Sequence, residues 1–236
     1  MDATDTTSLR VGLPGGTSVS ALLLQPASPR AALVLAHGAG AGMAHPFMSQ
    51  LALSLAERHI ATLRFQFPYM EAGSRRTDSP AVAQEAVRAA VHEARARLPG
   101  IPLFAGGKSF GGRMTSQAQA GSPLPDVRGL VFFRFPLPPA GQPATARAAH
   151  LAQVTRPMLF LQGTRDALAE LGLVRQVLGG LDALATLHVV DGADHAFHVL
   201  ARSGRNDGEV MEEIAQAAAV WMDEPDTSGN ARPRAS

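Results

Sequence analysis

The stretch 105–114 reads AGGKSFGGRM, and two chemistries compete for it. Gly107-Lys108-Ser109 resembles the end of a phosphate-binding P-loop, whereas Gly107-Lys108-Ser109-Phe110-Gly111 fits G-x-S-x-G, the sharp turn that presents a nucleophilic serine. A P-loop requires G-x-x-x-x-G-K-[ST], because its first glycine lets the backbone wrap a phosphate. Counting back from Gly107, that glycine would fall at Pro102, which has no amide hydrogen and opens an apolar run. The P-loop reading fails on spacing. The glycines of 37–43 do no better as a dinucleotide fingerprint, since the third position of G-x-G-x-x-G falls on Met43 or His45.

The serine reading passes each local test. The apolar run 101–105 leads into it and a helical pattern to about 120 leaves it, the strand-turn-helix context that G-x-S-x-G needs. Gly107 and Gly111 stand where side chains would collide in so tight a turn.

Working outward, strand-like and helical stretches alternate. The runs 9–13 and 18–24, separated by Pro14-Gly15-Gly16, read as a hairpin. The continuous apolar run 31–36 (AALVLA) reads as a strand buried on both faces. Further strands are expected at 60–67, 129–135, 158–162 and 187–190, with helices at 46–58, 81–98, 144–154, 167–178 and 210–222. This order predicts a three-layer α/β fold: a mostly parallel twisted sheet with helices on both faces, and an antiparallel edge from the hairpin. One domain over 1–222 is expected, followed by a polar, disordered tail at 223–236.

Composition narrows the function. The 236 residues carry 21 Lys and Arg against 20 Asp and Glu, so nothing in the charge calls for a nucleic-acid partner. There is no cysteine, which excludes disulfides and thiolate metal sites. The first sixteen residues lack the apolar core of a secretory signal, and no apolar run approaches the roughly 18 residues of a membrane span. The expectation is a cytoplasmic protein with no membrane partner, no cofactor and no metal.

A serine hydroxyl needs a base, and in strand-turn-helix hydrolases the acid and then the histidine follow at the ends of later strands. Asp166 follows the strand 158–162, and His195 follows 187–190. Ser109, Asp166 and His195 therefore satisfy residue type, order and position together. His198 is the alternative base, and Asp194 or Asp191 the alternative acid, though both aspartates share the histidine's own loop. The same residues read as a metal cluster would need four ligands from one short loop without cysteine. The plain alternative is a solvent loop that happens to hold His and Asp. The amide of Phe110, at a helix N-terminus, and one from Ala39 or Gly40 in the His37-Gly38-Ala39-Gly40 turn are candidate oxyanion donors. Read plainly, HGAGAG is a glycine-rich turn between a strand and a helix.

These residues resemble the α/β-hydrolase superfamily over about 9–222. More narrowly, HGAGAGMAHPFM (37–48), LRFQFPYM (63–70), AGGKSFGGRM (105–114) and LFLQGTRD (159–166) resemble a bacterial group of small hydrolases related to dienelactone hydrolases. The resemblance implies a catalytic triad and no settled substrate. Arg134, in Phe133-Arg134-Phe135, departs from the small residue usual in that group, and the expectation for it is a local salt bridge or a changed pocket rim.

The expected function is hydrolysis of small carboxylic esters through an acyl-enzyme. Thioester cleavage or acyl transfer with the same triad, or a non-catalytic binding or scaffold role, are the alternatives. The stretch 137–156 leaves little or no room for a lid. Tyr69, Met70, Phe110 and Phe135, near strand ends, are candidate pocket residues alongside Gly40, with core packing the plainer reading for the four. Lys108 and Arg113 flank the serine, where attraction of an acidic substrate is one reading; surface pairing with carboxylates is the plainer expectation for both.

Overall fold

The computed structural model describes residues 5–137 and 148–224. Eight strands form one sheet: β1 (Asp5–Gly12), β2 (Ser18–Gln25), β3 (Ala31–Ala36), β4 (Ile60–Phe65), β5 (Leu103–Lys108), β6 (Val127–Phe133), β7 (Met158–Gly163) and β8 (Ala185–Val190). Their spatial order is β1-β2-β4-β3-β5-β6-β7-β8. β1 and β2 form the antiparallel hairpin, β2 joins β4 antiparallel, and every pair from β4 to β8 is parallel.

Helices cover both faces, and strand alternation decides which residues face which layer. Val34, Leu63, Ala105, Leu130 and Phe132 pack toward α3 (Pro80–Arg97) and α4 (Phe110–Gly121), where Val87, Val91 and Met114 meet them. Leu33, Leu35, Phe104, Val131 and Leu159 pack toward α1 (Pro46–Ala56), which supplies Leu51 and Leu55, and toward the last helix (Asp207–Asp223), which supplies Ile214, Ala218 and Trp221. All six residues of β3 are buried, as expected for a strand covered on both sides. Between α1 and α3 lies the one-turn α2 (Pro68–Glu71). With α5 (Leu171–Gly179), the last helix is α6.

Several boundaries differ from the sequence reading for physical reasons. β1 starts at Asp5 rather than at 9, because an edge strand is held by backbone pairing and its residues 6–8 are polar and exposed. β5 runs to Lys108, past two glycines that pair with neighbours on both sides. β6 ends at Phe133, and Arg134 turns the chain with φ 63°. The helix expected from 167 starts at Leu171, because the Asp166 carboxylate accepts the Leu168 amide and holds 164–170 as a loop. Of the helix expected at 144–154, residues 144–147 lie outside those described, and Ala149–Gln153 forms a short 3-10 turn. The expected tail begins inside α6, which reaches Asp223; 225–236 lie outside the described residues. No helix among the described residues is long and apolar enough to cross a membrane.

Candidate active site

Ser109 caps the N-terminus of α4 directly after β5, with φ 50° and ψ −110°. A non-glycine residue in this left-handed region is strained and persists only where its surroundings hold it. Here they do: the Ser109 amide donates to the carbonyls of Arg134 (3.1 Å) and Phe133 (3.3 Å), and its own carbonyl accepts the Arg113 amide at 3.1 Å. A Cβ on Gly107 would lie 2.4 Å from the Ala36 carbonyl oxygen, and one on Gly111 would lie 2.5 Å from that same oxygen. The turn closes against β3 because both positions are bare. Phe110 is the first residue of α4, so its amide has no intrahelical acceptor and sits at the positive end of the helix dipole.

The ends of β7 and β8 lie side by side, Gln162 opposite Val189 and Gly163 opposite Val190. The loops that leave them carry Asp166 and His195. His195 Nδ1 lies 2.8 Å from Asp166 Oδ1 and 3.0 Å from Oδ2. Since a carboxylate only accepts, the pair places the proton on Nδ1 and leaves Nε2 as the imidazole's acceptor. The Asp166 side chain is fully buried while that of His195 is 31% exposed, so the pair runs from the interior to the surface. Gln162 Nε2 donates to Asp166 Oδ2 at 2.7 Å, and the Leu168 amide donates to Oδ1 at 2.9 Å. Burial pushes the Asp166 carboxyl up; the His195 bond and charge, the Leu168 amide and the nearby Arg134 charge outweigh it and hold the group below the usual carboxylate range.

A third loop follows β3. His37 is fully buried. Its Nδ1 donates to the Gly38 carbonyl at 2.8 Å and its Nε2 accepts the Phe67 amide at 3.0 Å. Burial drives this imidazole down to about 4, against a smaller upward pull from the Gly38 bond, so it is neutral at pH 7. The Tyr69 hydroxyl donates to the Ala39 carbonyl at 2.8 Å, and burial followed by the Asp78 charge pushes that phenol up to about 12. His37 and Tyr69 thus fix the 38–40 turn from below, while Ala39 and Gly40 themselves are exposed. The Phe67 ring meets Phe110 edge-on at 5.2 Å, joining the turn to the start of α4.

The remaining sequence candidates fall in distinct places. Tyr69 and Phe135 are buried: the first underlies the Ala39 turn, and the second packs between Phe132 (5.3 Å) and Phe160 (5.6 Å). Met70 is half-buried against the same core. His198 Nδ1 pairs with Asp207 at 2.9 Å, at the start of α6. Asp194 accepts the amides of Ala196 (2.6 Å) and His198 (3.1 Å) and so shapes the histidine loop, and Asp191 accepts the Thr164 hydroxyl at 3.3 Å. Among the described residues no three His, Asp or Glu side chains group to hold a metal ion.

Lys108 and Arg134 differ from expectation. No ion pair among the described residues involves Lys108; its ammonium lies 3.8 Å from the Phe47 ring centroid instead. Burial, then the Arg134 charge, pull it down to about 8, against an opposing pull from Asp194. Arg113 lies over Phe110, 6.0 Å from its centroid. Arg134 is only 2% exposed, with its guanidinium 5.3 Å from the Phe197 ring. Sequence alone assigns His37 and Gln162 no task here, and for Arg134 it suggests a salt bridge or a place on the pocket rim rather than burial beneath it. The available signal was a polar side chain inside or ending a run destined for burial, as in VFFRF.

Residues 29–223 match a family described as an alpha/beta hydrolase domain. A dienelactone hydrolase from Anabaena variabilis superposes with TM-score 0.74 at 19% identity, over 92% of this chain and 96% of that one. A serine hydrolase without a lid from Xanthomonas campestris gives 0.70 at 21% identity, over 94% and 98%. A cold-adapted esterase from an Arctic intertidal metagenomic library gives 0.67 at 18%, over 93% and 96%. At these identities the likeness is one of fold.

Proposed function

The chain belongs to the alpha/beta hydrolase family, and we propose that it is a serine hydrolase of small carboxylic esters in which Ser109, His195 and Asp166 form the catalytic triad. The observation that carries this reading is the bond from His195 to a buried, ionised Asp166 on the same sheet edge as the strained Ser109 turn. His195 Nε2 accepts the proton as Ser109 Oγ attacks the ester carbonyl. Asp166 holds the tautomer and stabilises the imidazolium. The oxyanion lies against the Phe110 amide and one from the 38–40 turn, each such donor lowering the barrier by about 3–4 kcal/mol. His195 then returns its proton to the departing alkoxide, leaving an ester bond between the acyl group and Ser109. Water, deprotonated by His195, attacks that ester, and Ser109 is regenerated with release of the acid.

The fold of lidless and esterase relatives supports small soluble substrates. So does the short length of sequence between β6 and β7, residues 134–157, of which 138–147 lie outside the described residues. The test is labelling of the folded protein with a fluorophosphonate, and turnover of short 4-nitrophenyl esters. Wild type is expected to be labelled at Ser109, and Ser109→Ala to lose both labelling and at least about 10⁴-fold in turnover. Folded wild type that resists the probe and cleaves none of these esters sinks the reading.

A further inference from the structure

Of two cations beside the proposed nucleophile, Lys108 has no part in the mechanism above, and Arg134 enters it only through the charge it sets near Asp166. Lys108 immediately precedes Ser109, and its ammonium lies over the Phe47 ring. Phe47 and His45, from the start of α1, contact or face it on one side, and Asp194 and Arg134 act on it from the other. Phe47 stacks on Phe197 with ring centroids 5.9 Å apart and planes 6° from parallel, and Arg134 lies over Phe197 in turn. Two aromatic rings, each bearing one cation, thus tie the turn before the nucleophile to the loop that carries His195.

The acids here do not match the bases. Asp166 is committed to His195, and Asp194 spends its Oδ1 on two amides of its own loop. Arg134 Nε and Nη1 are buried and meet no hydrogen-bond acceptor among the described residues. A guanidinium held in this way costs folding energy and sets a positive potential that low-dielectric walls transmit well. Arg134 is too deeply buried to touch a ligand. Lys108 is only partly buried, and its three N–H donors meet no acceptor among the described residues. The combination is a buried source of positive field behind a reachable ammonium, one residue from the nucleophile.

We propose that Lys108 is a specificity residue, and that the site selects esters bearing a second group that is a free carboxylate, which the Lys108 ammonium receives while Ser109 attacks the ester. This rests on the hydrolase reading above. It adds a substrate class: half-esters of dicarboxylic acids, or esters whose alcohol part is a hydroxy acid. The charged form of Lys108 is the one that binds, and its proton is lost as pH rises through about 8, so the selection fades above that range. The facing charges are His45 at the start of α1, Arg134 after β6 with Asp166 beside it, and Asp194 after β8.

The test has a binding arm and a turnover arm. In the first, Ser109→Ala protein, which cannot turn an ester over by the proposed route, is titrated calorimetrically with three esters. These are monomethyl succinate, with the carboxylate on the acyl side, carboxymethyl butyrate, with it on the alcohol side, and neutral methyl butyrate. At least one anionic ester is expected to bind about ten- to a hundredfold more tightly than the neutral one, the size of one charge-assisted hydrogen bond. Which of the two wins identifies the side that carries the charge. Adding Lys108→Met should bring the ratio to about one, and Lys108→Arg should restore it, whereas a merely structural role would weaken all three esters alike. The second arm compares kcat/KM of wild type on the same esters at about pH 7 and about pH 9.5, where the anionic preference should shrink. Equal binding of charged and neutral esters, or a preference that survives Lys108→Met, overturns the proposal. Absence of Ser109-dependent turnover with anion-selective binding intact would instead overturn the hydrolase reading alone.

Discussion

At the scale of single residues, the site rests on side chains whose protonation is settled by burial. His37 must be neutral, because its Nε2 accepts the Phe67 amide; a proton there would set two donors against each other. Its value of about 4 lies below the unperturbed 6.5, so the unfolded chain takes up this proton first as the medium acidifies. Stability is therefore complete above pH 6.5 and is lost progressively as pH falls through about 4. The linkage amounts to about 3 kcal/mol. Urea unfolding at about pH 7 and about pH 4 should show this loss, and His37→Gln, which cannot titrate, should flatten that part of the profile. A wild-type profile unchanged by the substitution would contradict this account. Sequence alone placed His37 in a glycine-rich turn without a task, since the amide it accepts belongs to Phe67, thirty residues away. Ser109, Asp166 and His195 were legible as candidates because strand ends and chain order confine them. Arg134 was not, because its partners Ser109 and Phe197 come from separate strand connections.

At the scale of elements, the alternation of apolar runs and amphipathic stretches was enough to place every sheet strand within a few residues. What it missed follows from backbone chemistry. β5 extends through Gly106 and Gly107 because pairing, not side-chain hydrophobicity, keeps the strand straight up to Ser109. A Cβ on Gly106 would sit 1.8 Å from the Val131 carbonyl oxygen, and β6 has no room to retreat. Gly106→Ala should cost at least about 3 kcal/mol, read as a lowered melting temperature or a loss of folded protein. Gly121→Ala, at the last turn of α4 with nothing within 4 Å of the added carbon, should be neutral or gain about 0.5–1 kcal/mol. Similar losses for both would show that glycine content, rather than the contact with β6, is what matters. The late start of α5 has the same origin: the Asp166 carboxylate competes for the Leu168 amide, and a hydrophobic pattern carries no record of that.

At the scale of the molecule, the sheet gathers the proposed site at the carboxyl edge of β3, β5, β7 and β8, with both faces closed by helices far apart in sequence. α6 returns to lie beside α1, where Ser54 donates to Glu212 at 2.8 Å and Arg58 bonds both Glu212 and Gln216. Trp221 fills the space over Gly129, where a Cβ would come within 2.6 Å of its ring, and it meets Phe104 of the nucleophile's own strand at 5.9 Å. This has a consequence for synthesis on the ribosome. By the time residue 200 has been added, the growing chain holds Ser109, Asp166 and His195, yet the face that α1 covers still lacks its second helix, α6. Leu159, Val131 and Phe104 are then exposed to any other unfinished chain nearby. A polypeptide stopped at residue 206, just before α6, should collect in the insoluble fraction or, if kept in solution, bind a hydrophobic dye and resist fluorophosphonate labelling. Soluble, labelled protein from that truncation would refute this. Otherwise, the emergence of α6 from the exit tunnel sets the moment at which the proposed nucleophile can react.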